Sequence, residues 1–232
     1  MATNEHRGRL WRPTWVVLIL NGILLALGCG PANLAMFIAP FMDNNLPPDY
    51  KLVTSSKEVT VAVMATFSQQ EDRRELLTAD SELAEQVALH LQLRAKANKE
   101  KVKIVPVSQV RNYLERPGKR NTVSPLDVGK HFKADYVLEL EVNSLSLYKK
   151  LSHNQFYLGN AELEVSLYDM HKDEGEHKVY NKPYRCEYPG SGPRDVGDCS
   201  QSQFRSLFLT KLAREISKLF IAYPPDERTE ME

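Results

Sequence analysis

Apolar and polar positions alternate along much of this chain, and where the alternation stops the apolar positions recur at helical spacing. Val59, Val61 and Val63 alternate with Thr60, Ala62 and Met64, a short β-rich run suited to an interior strand. Asp80-Ser81-Glu82 then offers a helix start, with acidic residues at the positive end of the helix dipole. Leu83, Ala84, Val87, Ala88, Leu91 and Ala95 follow on one side only, which predicts a helix laid over a sheet. A second strand is expected at Val102–Val107. Ser108 is placed to cap a short helix whose Val110 and Leu114 face inward, ended by Pro117-Gly118. Ser124-Pro125-Leu126-Asp127 is a stronger start: a cap residue, proline at the first helical position and an acid at the third. It predicts a helix over Pro125–Lys133, anchored by Leu126 and Phe132.

The most regular segment comes next. Tyr136, Leu138, Leu140 and Val142 alternate with Val137, Glu139, Glu141 and Asn143, giving one apolar and one mostly polar face. Beyond Asn143 the phase slips to Leu145 and Leu147, which predicts a bulge near Asn143-Ser144. After a turn at Lys149–Asn154, the set Ala161, Leu163, Val165 and Leu167 alternates with Glu162, Glu164 and Ser166. A tight turn through Lys172–Gly175 leads to a strand over His177–Tyr188. A final helix over Gln201–Ala222 carries Phe204, Leu207, Phe208, Leu212, Ile216, Leu219 and Phe220 on one stripe, and Pro224-Pro225 stops it. Strand, helix, strand, helices, then an antiparallel meander and a C-terminal helix make a mixed-sheet α/β sandwich. No internal repeat interrupts the order, and a doubly wound nucleotide fold is disfavoured.

Ahead of this body lies a different pattern. No charged side chain occurs between Arg12 and Asp43, and Arg7, Arg9 and Arg12 precede the window, opposed only by Glu5. A cationic flank before the apolar run Trp15–Leu27 is the layout of a secretory signal. The run ends at Leu25-Ala26-Leu27-Gly28-Cys29, which resembles the lipobox of bacterial lipoproteins, whose cysteine is lipidated and becomes the new N-terminus. The match departs from the pattern at Ala26 and Leu27, whose characters are swapped. The apolar stretch Leu34–Met42 also resumes after the cysteine, so an uncleaved anchor from Trp15 to about Phe37 is the alternative. Both place the body outside the cytoplasmic membrane, because the arginines come first. The expected organisation is a signal or anchor at 1–28, lipidation at Cys29, a tether over 29–56, an α/β domain over 57–223 and a loose acidic tail over 224–232.

Composition narrows the function. The formal charge is zero; removing residues 1–28 takes away three arginines and one glutamate and leaves 27 basic against 29 acidic side chains. That gives no basic field to recruit nucleic acid. Both tryptophans, Trp11 and Trp15, lie in the leader. With Cys29 assigned to lipid, Cys186 and Cys199 are left, either as a bridge closing the loop Pro189–Asp198 in an oxidising compartment or as two free thiols.

Several phrases in the body resemble a group of bacterial envelope proteins that share one α/β fold. The group includes the N-terminal domain of the TolB translocation protein, the curli secretion-channel lipoprotein and the lipoproteins that activate peptidoglycan synthases. The phrases are Val59–Phe67 as first strand, Ser108-Gln109-Val110 after the second, Asp127-Val128-Gly129-Lys130 with Ala134-Asp135-Tyr136-Val137-Leu138, and Leu167-Tyr168-Asp169 with the Gly175 turn. The resemblance covers about residues 58–222. It implies a non-enzymatic, lipid-anchored module that docks on envelope proteins. One branch of the group forms a pore, but the hairpin beyond Asn143 has only about six residues each way, against the 9–11 that cross a bilayer.

Candidate chemistry is sparse. Asp169, His171, Asp173 and His177 lie within nine residues and could supply ligands for zinc or a similar ion, but the same residues suit a solvated hairpin tip. Tyr180, Tyr184 and Tyr188 share strand parity with Cys186 and form either an exposed aromatic strip for a partner or a packed one. Ser152-His153 has no neighbouring acid for a nucleophile relay. Gly190-Ser191-Gly192 does not open a helix, as a phosphate cradle would. No cofactor and no small-molecule substrate is expected. Two functions stay open: an envelope interaction module acting through a sheet edge or the tyrosine strand, and an exported metal-binding protein or metal-dependent enzyme centred on His171 and His177.

Overall fold

Six strands form one mixed sheet in the computed structural model, which describes residues 45–54, 57–68, 76, 78–116 and 123–229. The leader, Cys29 and the Pro117-Gly118 helix stop lie outside the described residues. In chain order the elements are β1 (Val59–Phe67), α1 (Ala79–Ala97), β2 (Val102–Ile104), α2 (Val107–Leu114), α3 (Pro125–Phe132), β3 (Tyr136–Tyr148), β4 (Phe156–Asp169), β5 (Lys178–Tyr188), β6 (Arg194–Asp195), α4 (Gln201–Lys218) and α5 (Asp226–Thr229). The sheet order is β2-β1-β3-β4-β5, with β6 paired to the start of β4. β1 runs parallel to β2 and β3, and the rest is antiparallel. The expected α/β sandwich with mixed strand directions is the fold.

Burial follows the period of two. Val61, Val63, Leu138, Leu140, Leu163, Val165 and Leu167 share one face of the sheet with the apolar stripes of α1 and α4. Ala62, Met64 and Val137 point to the other face, where Val110 of α2 and Val128 of α3 cover them. β1 is therefore buried on both faces, which is why its run is almost wholly apolar. All six stripe positions read for α1 are buried. The bulge also falls where the phase slips, with the register shift between Val142 and Ser144.

The local signals differ in how well they mark ends. Ser124 and Asp127 form a capping box, with Pro125 in the first turn. Ser108 does not cap α2, which begins one residue earlier after Pro106. Val128, rather than Leu126 or Phe132, is the fully buried anchor of α3. On α4, Leu207 is 41% exposed while Leu209 and Ala213 are buried. The stripe centres on Phe208 and Leu212 and turns away from Leu207.

Three expectations at the chain's ends need correction. The compact unit begins at Asn45, not at residue 57. Part of the expected tether is a strap: Leu46 bridges Tyr223, Tyr50 N–H donates to the Leu219 carbonyl at 2.9 Å, and Leu52 N–H donates to the Phe220 carbonyl at 3.4 Å. Leu52, at the end of the strap, and Val53 after it are buried, each contributing about 1.5–3 kcal/mol of apolar transfer. α4 stops at Lys218 and not at Ala222: the Leu219 and Phe220 N–H groups tighten to the Ile216 and Ser217 carbonyls, and the carbonyls of Leu219 and Phe220 are taken up by the strap. Finally, the acidic tail is not loose through residue 229, because it forms α5 and ties back to α1 and α4.

Close packing makes one glycine indispensable. A Cβ on Gly159 would come within 2.7 Å of the Phe208 ring, which is fully buried. Gly129 faces the thioether of Met170 instead, a flexible side chain that can swing aside. Gly159→Ala is expected to cost about 2 kcal/mol, and Gly129→Ala distinctly less, as read from urea unfolding midpoints.

Candidate functional site

Three clusters of polar or aromatic side chains are candidates, and the first is the turn between β4 and β5. Asp135, just before β3, organises it. Its Oδ2 accepts from the Thr60 backbone N–H at 2.6 Å, and its Oδ1 lies 2.8 Å from His171 Nε2. The carboxylate can only accept, so Nε2 carries the proton. The His171 backbone N–H donates to Asp169 Oδ1 at 2.9 Å, and His177 Nδ1 lies 3.0 Å from the Asp169 carbonyl, which again makes the ring nitrogen the donor. Asp173 contributes its carbonyl to the turn through Glu176 N–H at 3.0 Å. Of the four residues read as candidate ligands, His171 fastens the turn to Asp135, Asp169 and His177 bond within the turn, and Asp173 contributes its backbone carbonyl. Among the described residues no group of three or more His, Cys, Asp or Glu side chains is placed to hold a metal ion.

The second cluster is the tyrosine strip on β5. Tyr180, Tyr184 and Tyr188 face α4 and pack on the core rather than forming an exposed strip. Tyr180 meets the Phe220 ring edge-on at 5.3 Å and donates through its hydroxyl to Asp49 Oδ2 at 3.2 Å. Tyr188 lies 5.7 Å from Phe204 and 6.4 Å from Phe208. Burial, together with the carboxylate of Glu215, holds the Tyr184 hydroxyl above its ordinary range. The outer edge of β5 is interrupted too: Pro183 offers no N–H there, and Lys182 and Arg185 flank it.

Cys186 and Cys199 are free thiols, not a bridge. β5 and α4 run antiparallel in contact, so Tyr188 sits by Phe204 and Tyr180 by Phe220. Cys186 consequently lies near the level of Lys211, while Cys199 precedes the Ser200 cap. At 1.5 Å per helical residue those levels are roughly 15 Å apart, well beyond the reach of a disulfide. Burial pushes the Cys186 thiol up to about 11, which makes it a poor nucleophile.

The third cluster was not anticipated. Arg94 lies on the buried side of α1 and is only 9% exposed. Its Nε donates to Ser217 Oγ at 2.8 Å, and its two terminal nitrogens reach both oxygens of Glu227 at 3.3 and 2.5 Å. Lys218, also buried, donates to Glu215 Oε1 at 2.9 Å and to the Glu227 carbonyl at 2.7 Å. The Tyr223 ring lies 5.9 Å from the Arg94 guanidinium carbon and 5.2 Å from Lys218 Nζ. Arg94 falls three residues after Leu91, on the apolar stripe; that misplaced charge was the available signal. This clasp joins α1, α4 and α5, and it binds the protein's own carboxylate.

No protein-family model matches the chain, and no curated protein matches it. Among solved structures, the hypothetical protein CT253 of Chlamydia trachomatis is similar at 16% identity, over 75% of this chain and 96% of that one, with a TM-score of 0.43. The lipoprotein GNA1162 of Neisseria meningitidis is similar at 11% identity, over 67% and 98% of the two chains, with a TM-score of 0.36. The LpoB C-terminal domain of Escherichia coli is similar at 13% identity, over 58% and 86%, with a TM-score of 0.32. Bacterial lipoproteins are therefore among the solved structures that this chain resembles.

The clasp carries a pH signature. Burial raises the Glu227 carboxyl, but the hydrogen bond and charge of Arg94, with Lys218 and Arg214, outweigh it and hold the group below its ordinary 4.5. A depressed folded value adds stability above the unfolded one and loses it as pH falls through the folded one. Glu227→Gln is expected to cost about 1 kcal/mol at neutral pH, with the gap from the unsubstituted protein closing below pH 4.5. Urea unfolding of both proteins at pH 7 and in acid measures it; a gap that widens in acid would contradict the sign.

Proposed function

We propose that this chain is a membrane-tethered envelope protein whose body lies on the extracytoplasmic side and works as a non-enzymatic assembly module. The observation that carries the proposal is the charge-free window closed by Cys29, which follows three arginines and precedes a body that begins at Asn45. Fifteen residues separate Cys29 from Asn45, a spacer of up to about 50 Å when fully extended. Cys29 is the lipidated residue in this proposal, residues 1–28 are the removed signal, and the anchored face is the cell membrane or the outer membrane.

The body's polar chemistry supports a binding role over a catalytic one. His171 and His177 fasten a turn, Cys186 is held as a thiol, and Arg94 is saturated by Ser217 and Glu227. The histidines contact Asp135 and the Asp169 carbonyl, and the Arg94 clasp closes on the protein's own tail, so these groups serve the fold. Other envelope proteins are the partners this module would assemble.

Metabolic labelling with an alkyne fatty acid tests the proposal. The expected result is incorporation into the membrane-bound chain, lost in Cys29→Ser, with an N-terminal mass beginning at acylated Cys29. Tryptophan emission gives a second readout: a chain processed at Cys29 keeps no tryptophan, whereas an uncleaved anchor keeps Trp11 and Trp15. Recovery of unlabelled chain in the soluble cytoplasmic fraction would sink both forms.

A further inference from the structure

The β3–β4 hairpin outruns β1 and ends, past Tyr148, in a turn whose arrangement the proposed function does not use. β3 last pairs with β1 at Val142, yet it runs on to Tyr148 and returns through Phe156. β5 flanks most of that length, pairing with β4 as far as Gly159, and β6 pairs with Phe156 and Tyr157, so the turn between Tyr148 and Phe156 is what projects. At its end Leu151 is 98% exposed, and Phe156 below it is 39% exposed. Lys149 and Lys150 directly precede Leu151, His153 follows, and residues 149–156 include no carboxylate. On the neighbouring β6 side, Asp195 pairs with Phe156 and spends its Oδ1 on Gly197 N–H at 2.7 Å, and Asp198 follows it, while Arg194 pairs with Tyr157.

Leu151 is held outward rather than left loose. The Lys149 carbonyl accepts from both Ser152 N–H at 3.3 Å and Ser152 Oγ at 2.8 Å, and Gln155 N–H donates to the Ser152 carbonyl at 3.0 Å. Lys149 N–H closes the ladder on the Phe156 carbonyl at 2.9 Å, and Val196 N–H braces the Gln155 carbonyl at 3.2 Å. Within this frame Leu151, His153 and Asn154 all take positive φ, at 64°, 51° and 60°. Asparagine takes that conformation readily; leucine rarely does. A fully exposed leucine in a left-handed conformation contributes nothing to the fold, and a polar residue would hold the same turn at less cost.

We infer that the β3–β4 tip, through Leu151, Lys149 and Lys150, is a contact site for an anionic lipid surface. A bilayer interface takes one projecting apolar side chain without shape complementarity, and adjacent lysines meet its headgroups. A protein partner would instead need a surrounding rim that excludes water from the anchor residue, and the tip is too narrow to supply one. The tip touches the bilayer without crossing it, because the turn that projects between Tyr148 and Phe156 is shorter than a spanning strand. One leucine and two lysines give weak partitioning alone. The contact matters because it rests on the membrane attachment proposed above, which makes it intramolecular.

The body has no tryptophan, so a reporter can be built without background. In the full chain carrying Trp11→Phe, Trp15→Phe and Leu151→Trp, emission and acrylamide quenching are followed with phosphatidylcholine vesicles, with and without phosphatidylglycerol. Co-sedimentation is measured on the same samples. The expected result is a blue shift and quencher protection with phosphatidylglycerol only, weakened by salt and about fivefold by each of Lys149→Gln and Lys150→Gln. A reporter that stays water-exposed with phosphatidylglycerol vesicles overturns the proposal, whether or not the chain co-sediments. Equal protection by both lipids, or protection only after envelope proteins are added, overturns it as well. Co-sedimentation reports separately on the attachment itself, so failure of one is not mistaken for failure of the other.

Discussion

Helix α4 lies along the inner face of the β3–β4–β5 meander, and most placements in this protein follow from that contact. Phe204, Phe208, Leu212 and Ile216 line its buried side, Phe220 continues that side just past its end, and the three β5 tyrosines pack against them. An exposed β5 strip of such rings would be a binding surface; under α4 it becomes core. The same contact separates the two cysteines along the helix and requires glycine at position 159. It also leaves the carbonyls after Lys218 at the rim of the core, where the strap from Asn45 to Leu52 takes them up.

Both described chain ends converge on that rim. Asn45 donates through its side-chain amide to Asn98 Oδ1 at 3.0 Å, and Asn98 donates to the Ala222 carbonyl at 2.8 Å. A few residues away, Arg94 and Lys218 hold the tail through Glu227. Burying an arginine and a lysine at a helix junction is costly unless each donor finds an acceptor. Here Ser217, Glu215 and the tail supply them. The tail therefore completes the charge balance of the α1–α4 junction at the end where the N-terminal segment joins the body.

What the sequence made legible was whatever depends on near neighbours. The β1 run, the α1 stripe, the capping box at Ser124 and the bulge after Val142 are written in spacings of two, three and four residues. The phase slip at Asn143 located the bulge because the side-chain period of a strand tolerates no drift. What stayed hidden depends on partners far along the chain. Asp135 claims His171 across 36 residues, and Glu227 claims Arg94 across 133. A histidine pair and an acidic tail have the same local pattern whether they bind a metal, float in water or close a turn. Arg94 was the exception, since a guanidinium on a buried stripe implies a nearby acceptor.

The surface is selective about what it leaves open. β5 is an eleven-residue edge strand, the kind of feature that recruits stray strands, and it carries Pro183 between Lys182 and Arg185 as protection. Its tyrosines pack against the core, and the histidines of the preceding turn are hydrogen-bonded to Asp135 and the Asp169 carbonyl. Against that background the tip of the β3–β4 hairpin does the opposite. It projects a leucine, holds it there with four backbone hydrogen bonds and one from a serine hydroxyl, and keeps carboxylates out of the turn. A chain that guards one edge strand this closely gains nothing for its own fold by exposing Leu151, so the selective reason for that residue lies outside the body.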